Sequence, residues 1–173
     1  MELTDSGQRP KLRLPLTKGD WITEFIGFVF LVFLFILPLR YIPDLPARIP
    51  AHFDVAGAPD GYGGKNTLWI LPAIGFFLWL LMTVLSRFPH IFNYSVNITA
   101  GNAETQYRLA TGMMRILKTV ILVMFSFISY KTIRTATGNA AGLGRVFLPV
   151  MITVTFTVVI VYIVRSLRAK NQD

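Results

Sequence analysis

The sequence predicts an all-α membrane protein: a four-transmembrane-helix bundle with a structured extracytoplasmic loop between helices 1 and 2. Two observations predict this fold class. The chain contains four long apolar runs, and about 20 helical residues are enough to cross a hydrocarbon layer about 30 Å thick. Charged residues make up 15% of the sequence, well below the roughly 25% of an average soluble domain.

The four spans are expected at about residues 21–40, 67–86, 113–133 and 146–164, within a membrane domain of residues 21–165. Residues 1–20 are expected to form a basic cytoplasmic tail, and residues 166–173 a second cytoplasmic tail. The first run is interpreted as a retained helix, because it ends in Pro38 and Arg40 without the small-residue cleavage site of a signal peptide. A helix starting near Ala100, with Thr99 as its cap and Asn102 three residues on, can continue into the third span.

The lysines and arginines predict that both ends of the chain lie in the cytoplasm. In that orientation eleven counted basic residues face the cytoplasm and six face outward, as the positive-inside rule requires. Arg115 and Lys118 belong to the cytoplasmic set, and Glu24 is expected to reach the membrane interface. A net charge of +8 would suggest nucleic acid as the partner of a soluble protein. Here the basic residues flank apolar runs, so we expect the lipid bilayer as partner and no nucleic acid.

The loop of residues 41–66 carries most of the chemical information. Pro43, Pro46 and Pro50 push the chain into an extended path after the first span. Residues 51–55 then alternate like a strand, which places His52 and Asp54 on one face. The sequence Pro59-Asp60-Gly61 predicts a turn, and Asn66 or Thr67 is expected to cap the second helix.

His52, Asp54 and Asp60 can form a small polar site, because two carboxylates and an imidazole can hold a divalent cation. A structural interpretation explains the same residues at least as well: the carboxylates cap turns, Lys65 pairs with one of them, and His52 is an interfacial side chain. The chain has no cysteine, and no nucleophile is marked beside a base. We therefore expect no catalytic residue and no cofactor, and leave the metal site open.

Two stretches resemble a known family. LPARIPAHFDVAGAPDGYGGK, residues 45–65, resembles the signature of a bacterial membrane domain of unknown function that forms the N-terminal part of Sdp-type toxin immunity proteins. FNYSVNITAGNAETQYRLATGMMRILK, residues 92–118, is similar to the segment after that domain in short stand-alone members. The resemblance implies a multi-pass protein of the bacterial cytoplasmic (inner) membrane.

The best-understood relatives protect cells from an exported killing peptide and hold a transcriptional repressor at the membrane when that toxin is present. They contain further transmembrane helices after this domain, whereas this sequence stops at Asp173 after four predicted spans. Whatever those helices contribute, repressor docking included, is therefore not carried over.

The residues and the resemblance leave three functional hypotheses. The first is a non-enzymatic sensor or immunity protein whose outer loop recognises an exported peptide, an envelope component or another membrane protein. The second is a small transporter or channel subunit, although the spans offer little for a polar path beyond Ser126, Ser129 and the threonines at 153, 155 and 157. The third is a membrane-surface enzyme or metal-binding protein that uses His52, Asp54 and Asp60. Self-association of the helices stays open. The binding residues expected under the first hypothesis are His52, Asp54, Gly57, Asp60, Gly61, Tyr62 and Lys65.

Overall fold

A computed structural model describes residues 9–169; the outer parts of both predicted tails, residues 1–8 and 170–173, lie outside the described residues. Four helices with their flanking turns are long and apolar enough to cross a membrane, which confirms that part of the predicted fold class. The prediction of an all-α fold was incomplete, because the loop after the first helix contains a two-stranded sheet. The elements are α1 (Lys18–Tyr41), β1 (Arg48–Phe53), β2 (Pro59–Gly64), α2 (Ile70–Leu85), α3 (Ala103–Ala136) and α4 (Phe147–Ala169).

Helix α1 begins at a capping box. The backbone N–H of Asp20 donates to the Thr17 hydroxyl (3.1 Å), and the N–H of Thr17 donates to the Asp20 carboxylate (2.8 Å). Two orphan donors of the first turn are thereby satisfied, and the carboxylate also lies at the positive end of the helix dipole. The helix therefore begins before the apolar run, and Asp20 and Glu24 lie on its first two turns.

Helix α3 is the centre of the bundle. It contains 34 residues, about 51 Å of helix at 1.5 Å per residue, and it packs against α1, α2, α4 and β1. Midway along it, Leu122 is buried against Leu31 and Leu34 of α1. The helix starts at Ala103, so it extends well before the apolar part that predicts the third span.

The N-terminal part of α3 holds the neighbouring connection and α4. Thr99 and Asn102 exchange hydrogen bonds between their side chains and backbone N–H groups (3.0 and 3.2 Å), as their spacing predicts. The helix itself begins at Ala103 with Asn102 at the cap position, and not near Ala100 with Thr99 as the cap. The Gln106 amide donates to the Ser166 carbonyl (2.9 Å) and accepts from the Ser166 hydroxyl (2.6 Å). The Tyr94 hydroxyl donates to the Pro89 carbonyl (2.9 Å), and burial raises the pKa of Tyr94.

The two strands pair antiparallel as a hairpin, with Ile49 opposite Gly63 and His52 opposite Gly61. The expected turn at Pro59-Asp60-Gly61 is wrong, since those residues lie in β2. The chain reverses at residues 54–58 instead. There the N–H of Ala58 donates to the Asp54 carboxylate, the N–H of Asp54 donates to the Ala58 carbonyl, and the N–H of Gly57 donates to the Asp54 carbonyl, each at 2.9 Å. Asp54 can bond the backbone of the following residues and Gly57 adopts a positive φ of 75°, so this segment makes the tighter turn.

The expected cap of the second helix is also wrong. A short 3₁₀ helix, Lys65–Trp69, leads from β2 into α2, and the Thr67 hydroxyl donates back to the Gly64 carbonyl (2.8 Å). The residue before α2 is Trp69, and it makes no side-chain cap. The chain therefore enters α2 through a continuous turn of helix, so no Asn or Thr cap is needed.

The hairpin is fixed to the bundle at two places. Ile49 is fully buried in an apolar cluster with Leu37 of α1 and Ile133 of α3, completed by Leu45 and Leu68. The hairpin turn contacts the α3–α4 connection, where the N–H of Leu143 donates to the Gly57 carbonyl (2.7 Å). A Cβ at Gly57 would lie 2.7 Å from the backbone N and O of Gly144. The turn is therefore docked closely against that connection.

The contact between Gly57 and Gly144 predicts a measurable cost of substitution. Gly57→Ala and Gly138→Ala both place alanine at a φ of 75°, which costs roughly 1–2 kcal/mol. Only at Gly57 does the added Cβ meet backbone atoms, because nothing lies within 4 Å of it at Gly138. Gly57→Ala is expected to lower the apparent melting temperature of the detergent-solubilised protein clearly more than Gly138→Ala. Equal melting temperatures for the two variants would contradict the docked turn.

Candidate functional site

The hairpin brings together part of the predicted site. The Nδ1 atom of His52 lies 2.5 Å from the Oδ1 atom of Asp60 on the neighbouring strand. Their side chains are 73% and 46% exposed, so the pair is open to solvent. A Cβ at Gly61 would lie 3.0 Å from the His52 Cβ, so a glycine fits best opposite His52. The pair joins the two strands across the open face of the hairpin.

The other predicted site residues do not converge on this pair. Asp54 is occupied in the turn, and Gly57 contacts the α3–α4 connection. Lys65 uses its backbone N–H to hold the Ala47 carbonyl (3.1 Å), and Tyr62 extends from the hairpin, 54% exposed. Within residues 9–169, no group of three His, Cys, Asp or Glu side chains is arranged to hold a metal ion. Of the three proposed metal ligands, the structure therefore brings only His52 and Asp60 together.

The opposite end of the bundle contains a polar network that sequence reasoning missed, formed by Asp20 and Glu24 of α1, Thr83 of α2, and Arg115 and Lys118 of α3. The Lys118 ammonium donates to both Glu24 carboxylate oxygens (2.9 and 2.7 Å) and to the Thr83 hydroxyl (2.8 Å). Arg115 donates to Asp20 (3.0 Å) and lies 3.6 Å from Glu24. Two cations and two carboxylates thus neutralise one another.

Helical spacing explains how the network assembles. Asp20 and Glu24 are four residues apart on α1, and Arg115 and Lys118 are three apart on α3, so each pair shares one helix face. The Lys118 side chain is 2% exposed and that of Glu24 is 21% exposed. A charge so enclosed is tolerated only with partners for its hydrogen-bonding groups. The network therefore holds these two helix faces together.

The network lies at the edge of the apolar layer. Glu24 is about 26 Å from Tyr41, the end of α1, at 1.5 Å per residue. The middle of the bundle is filled instead by Leu31, Leu34 and Leu122, and Ser126 donates across this layer to the Phe30 carbonyl (3.2 Å). The network thus lies near one end of the bundle and not at its apolar middle, where a transport path needs ionised groups.

An aromatic side chain borders the network. The Lys118 ammonium lies 5.8 Å from the centroid of the Trp79 ring, within the range of a cation–π contact. Trp79 also packs against Phe28 of α1 and Phe76 of α2, at centroid distances of 6.4 and 6.3 Å. These rings separate the network from the apolar middle of the bundle.

A cavity of about 900 Å³ adjoins the network. Residues 12–16 form one wall, α1 and α2 form two others, and Glu24, Thr83 and Arg115 reach it from the network. Its remaining lining is largely aromatic and includes Trp21 and Trp79. The cavity therefore has a polar floor and apolar sides.

The sequence contained a signal for the network. Arg115 and Lys118 fall inside the predicted third span, and Asp20 and Glu24 have the matching spacing at the start of the first. The pairing is missed when Arg115 and Lys118 are assigned to the cytoplasmic flank of the span and Glu24 to the membrane interface. Opposite charges at helical spacing in two predicted spans would have suggested a shared interface.

Comparison with known proteins gives a coarse classification. Residues 29–76 match the family profile of a domain of unknown function, DUF1648; this range covers most of α1, the hairpin and the start of α2. An uncharacterized protein of the archaeon Archaeoglobus fulgidus is 29% identical over 87 residues, 46% of this chain and 48% of that protein. The chain thus spans about half the length of this curated relative. No solved structure matches the chain.

A double-mutant cycle tests the network. Glu24→Gln or Lys118→Met each leaves a buried charge without its main partner, which is expected to lower the free energy of unfolding by about 3 kcal/mol. The double variant is expected to cost much less than the sum of the two. Unfolding in mixed micelles, followed by circular dichroism, measures these values.

The exposed Arg40–Asp44 pair, 3.3 Å apart on one helix turn, is the matched control. Arg40→Met and Asp44→Asn are expected to cost less than about 1 kcal/mol. Additive costs at Glu24 and Lys118, no larger than those of the control pair, would show that the network does not form.

Proposed function

We propose that this protein is a non-enzymatic sensor of the Sdp immunity type in the bacterial cytoplasmic membrane, with the hairpin as its recognition surface for an exported peptide or envelope component. One observation carries the proposal: the hairpin is fixed to the bundle on one side and open on the other. Ile49 is buried against α1 and α3, whereas Val55 and Tyr62 are 81% and 54% exposed. A binding surface needs such exposed apolar groups on a positioned backbone.

The outer edge of β2 is suited to an extended peptide. In the described part of the chain β2 pairs with β1 alone, so its second edge has no strand partner. Gly61, Gly63 and Gly64 place no side chain along it, and Tyr62 is the large side chain of this stretch. A peptide added as a third strand would gain backbone hydrogen bonds from the edge and side-chain contact from Tyr62.

Helix α3 connects this surface to the rest of the molecule. Its residue Ile133 packs against Ile49 of the hairpin, and the same unbroken helix carries Lys118 and Arg115 into the network. A ligand that binds one position of the hairpin more tightly than another would favour the corresponding position of α3. The contacts thus support transmission between the two ends of the bundle.

The two other hypotheses receive less support. Transport is disfavoured because leucines fill the middle of the apolar layer and the polar network lies at its edge. Catalysis or metal binding at His52, Asp54 and Asp60 is disfavoured because Asp54 is engaged in the turn. His52→Ala and Asp60→Asn address the latter hypothesis: full cellular function of both folded variants excludes it.

Cells that lack the gene are expected to change in sensitivity to at least one of a broad panel of membrane-active peptides. The wild-type gene should restore the original sensitivity, whereas Val55→Ser combined with Tyr62→Ser should not, because the hairpin loses its exposed apolar contacts. Growth inhibition across the panel is the measurement.

Val146→Ser is the control, since Val146 is 70% exposed at the same end of the bundle but outside the hairpin. It should restore sensitivity fully, and all variants should reach the membrane in equal amounts. An unchanged response in the deletion strain, or full restoration by the double variant, would overturn the proposal.

A further inference from the structure

The lining of the cavity beside the network includes two arginines that are not part of the network. Of its charged lining residues, Glu24 and Arg115 are already paired within the network. Arg13 and Arg87 also line the cavity, and neither forms an ion pair among residues 9–169. Among the described residues, two exposed arginines without a paired carboxylate thus line the cavity, and they favour an anionic partner.

The sides of the cavity have the opposite character. Trp21, Phe25 and Phe28 of α1 line it, and all three side chains are largely exposed. Trp79 of α2 lines the facing side. These residues lie within or beside the apolar runs that cross the membrane, so hydrocarbon chains can reach them. Apolar sides of this extent would add nothing to the binding of a free inorganic anion.

The wall formed by residues 12–16 is held in place by contacts on both sides of it. The Arg9 guanidinium donates to the Phe92 carbonyl (2.5 Å) and lies 5.4 Å from the centroid of the Tyr94 ring. Arg108 of α3 donates to the Pro15 carbonyl (3.4 Å). The segment that carries Arg13 is therefore part of the folded structure, and the cavity of about 900 Å³ has a defined wall.

We propose that this cavity binds an anionic phospholipid of the surrounding bilayer. The headgroup phosphate contacts Arg13 and Arg87, and an acyl chain lies along Trp21, Phe25 and Phe28 towards Trp79. The occupant is inferred from charge complementarity at the two arginines and from the apolar, membrane-facing sides. The leaflet is the one at the start of α1, which is the cytoplasmic leaflet if the charge bias sets the orientation.

The tryptophans allow a direct test. Trp21→Phe with Trp69→Phe leaves Trp79, at the cavity, as the single tryptophan. This protein is placed in nanodiscs of phosphatidylcholine that contain a small, varied fraction of phosphatidylglycerol with brominated acyl chains, which quench nearby tryptophans. The reference is phosphatidylcholine with the same brominated chains. Both lipids carry a phosphate, but the choline cation of phosphatidylcholine offsets its charge. Phosphatidylglycerol is therefore expected to quench Trp79 at about fivefold lower mole fraction, the preference that one arginine gives for an anionic lipid.

Arg13→Gln with Arg87→Gln is expected to bring the two quenching curves together. Arg134→Gln with Arg145→Gln removes the same charge away from the cavity lining and should retain the fivefold preference. Equal quenching by both lipids in the parent protein would overturn the proposal and leave the cavity to another ligand, such as a peptide. A preference that persists in the folded Arg13→Gln/Arg87→Gln variant would overturn it too. Should that variant not fold, the comparison of the two lipids on the parent protein still decides.

Discussion

The contact between the Lys118 ammonium and the Glu24 carboxylate, at 2.7 Å, sets the arrangement of the bundle. A lysine enclosed among apolar helices is tolerated only if its charge is balanced and its N–H groups are bonded. Glu24 and Thr83 provide both from two other helices. Because these contacts are short (2.7–2.9 Å) and the charge is enclosed, α1, α2 and α3 have little freedom to rotate about their own axes. The same contact therefore determines which faces of the helices pack against one another further along the bundle.

Two apolar layers follow the Lys118–Glu24 contact along the bundle, towards the hairpin. Leucines of α1 and α3 fill the middle, and a second apolar cluster joins both helices to Ile49 of the hairpin. Helix α3 passes through all three layers and also carries α4, through Gln106 and Ser166. The hairpin is thus attached to the one helix that reaches every other part of the bundle. This attachment gives the proposed sensor a physical route from its surface to its opposite end.

Sequence reasoning predicted the helices well and their interactions poorly. Apolar run length is a local property, so the four helices could be read directly from composition along the chain. The polar network depends on pairing between Glu24 and Lys118, residues far apart in the chain, and a count of flanking charges cannot detect it. The same holds for Gly57, whose small size is required by a contact with Gly144 in a distant loop.

The hairpin shows a third kind of limit. Its extended character could be predicted from the prolines, and His52 and Asp60 were both identified. The pairing was not, because it depends on the register. The strand-like alternation of residues 51–55 predicted that Asp54 shares the face of His52, whereas the turn at Asp54 puts Asp60 across from His52. Residues 54–58 and residues 59–61 both contain residues that favour turns. The contact of Gly57 with the α3–α4 connection favours the turn at residues 54–58.

Solid-state NMR of the protein in lipid bilayers tests the Lys118–Glu24 contact most directly. With ¹⁵N at the lysine Nζ atoms and ¹³C at the glutamate carboxyl carbons, dipolar recoupling reports only lysines in direct contact with a glutamate. The glutamates are Glu2, Glu24 and Glu104, and within residues 9–169 the Lys118–Glu24 pair is the lysine–glutamate contact. One strongly coupled ammonium, absent in Lys118→Met, is the predicted result. Lysine signals without coupling to any glutamate carboxyl carbon would contradict the account.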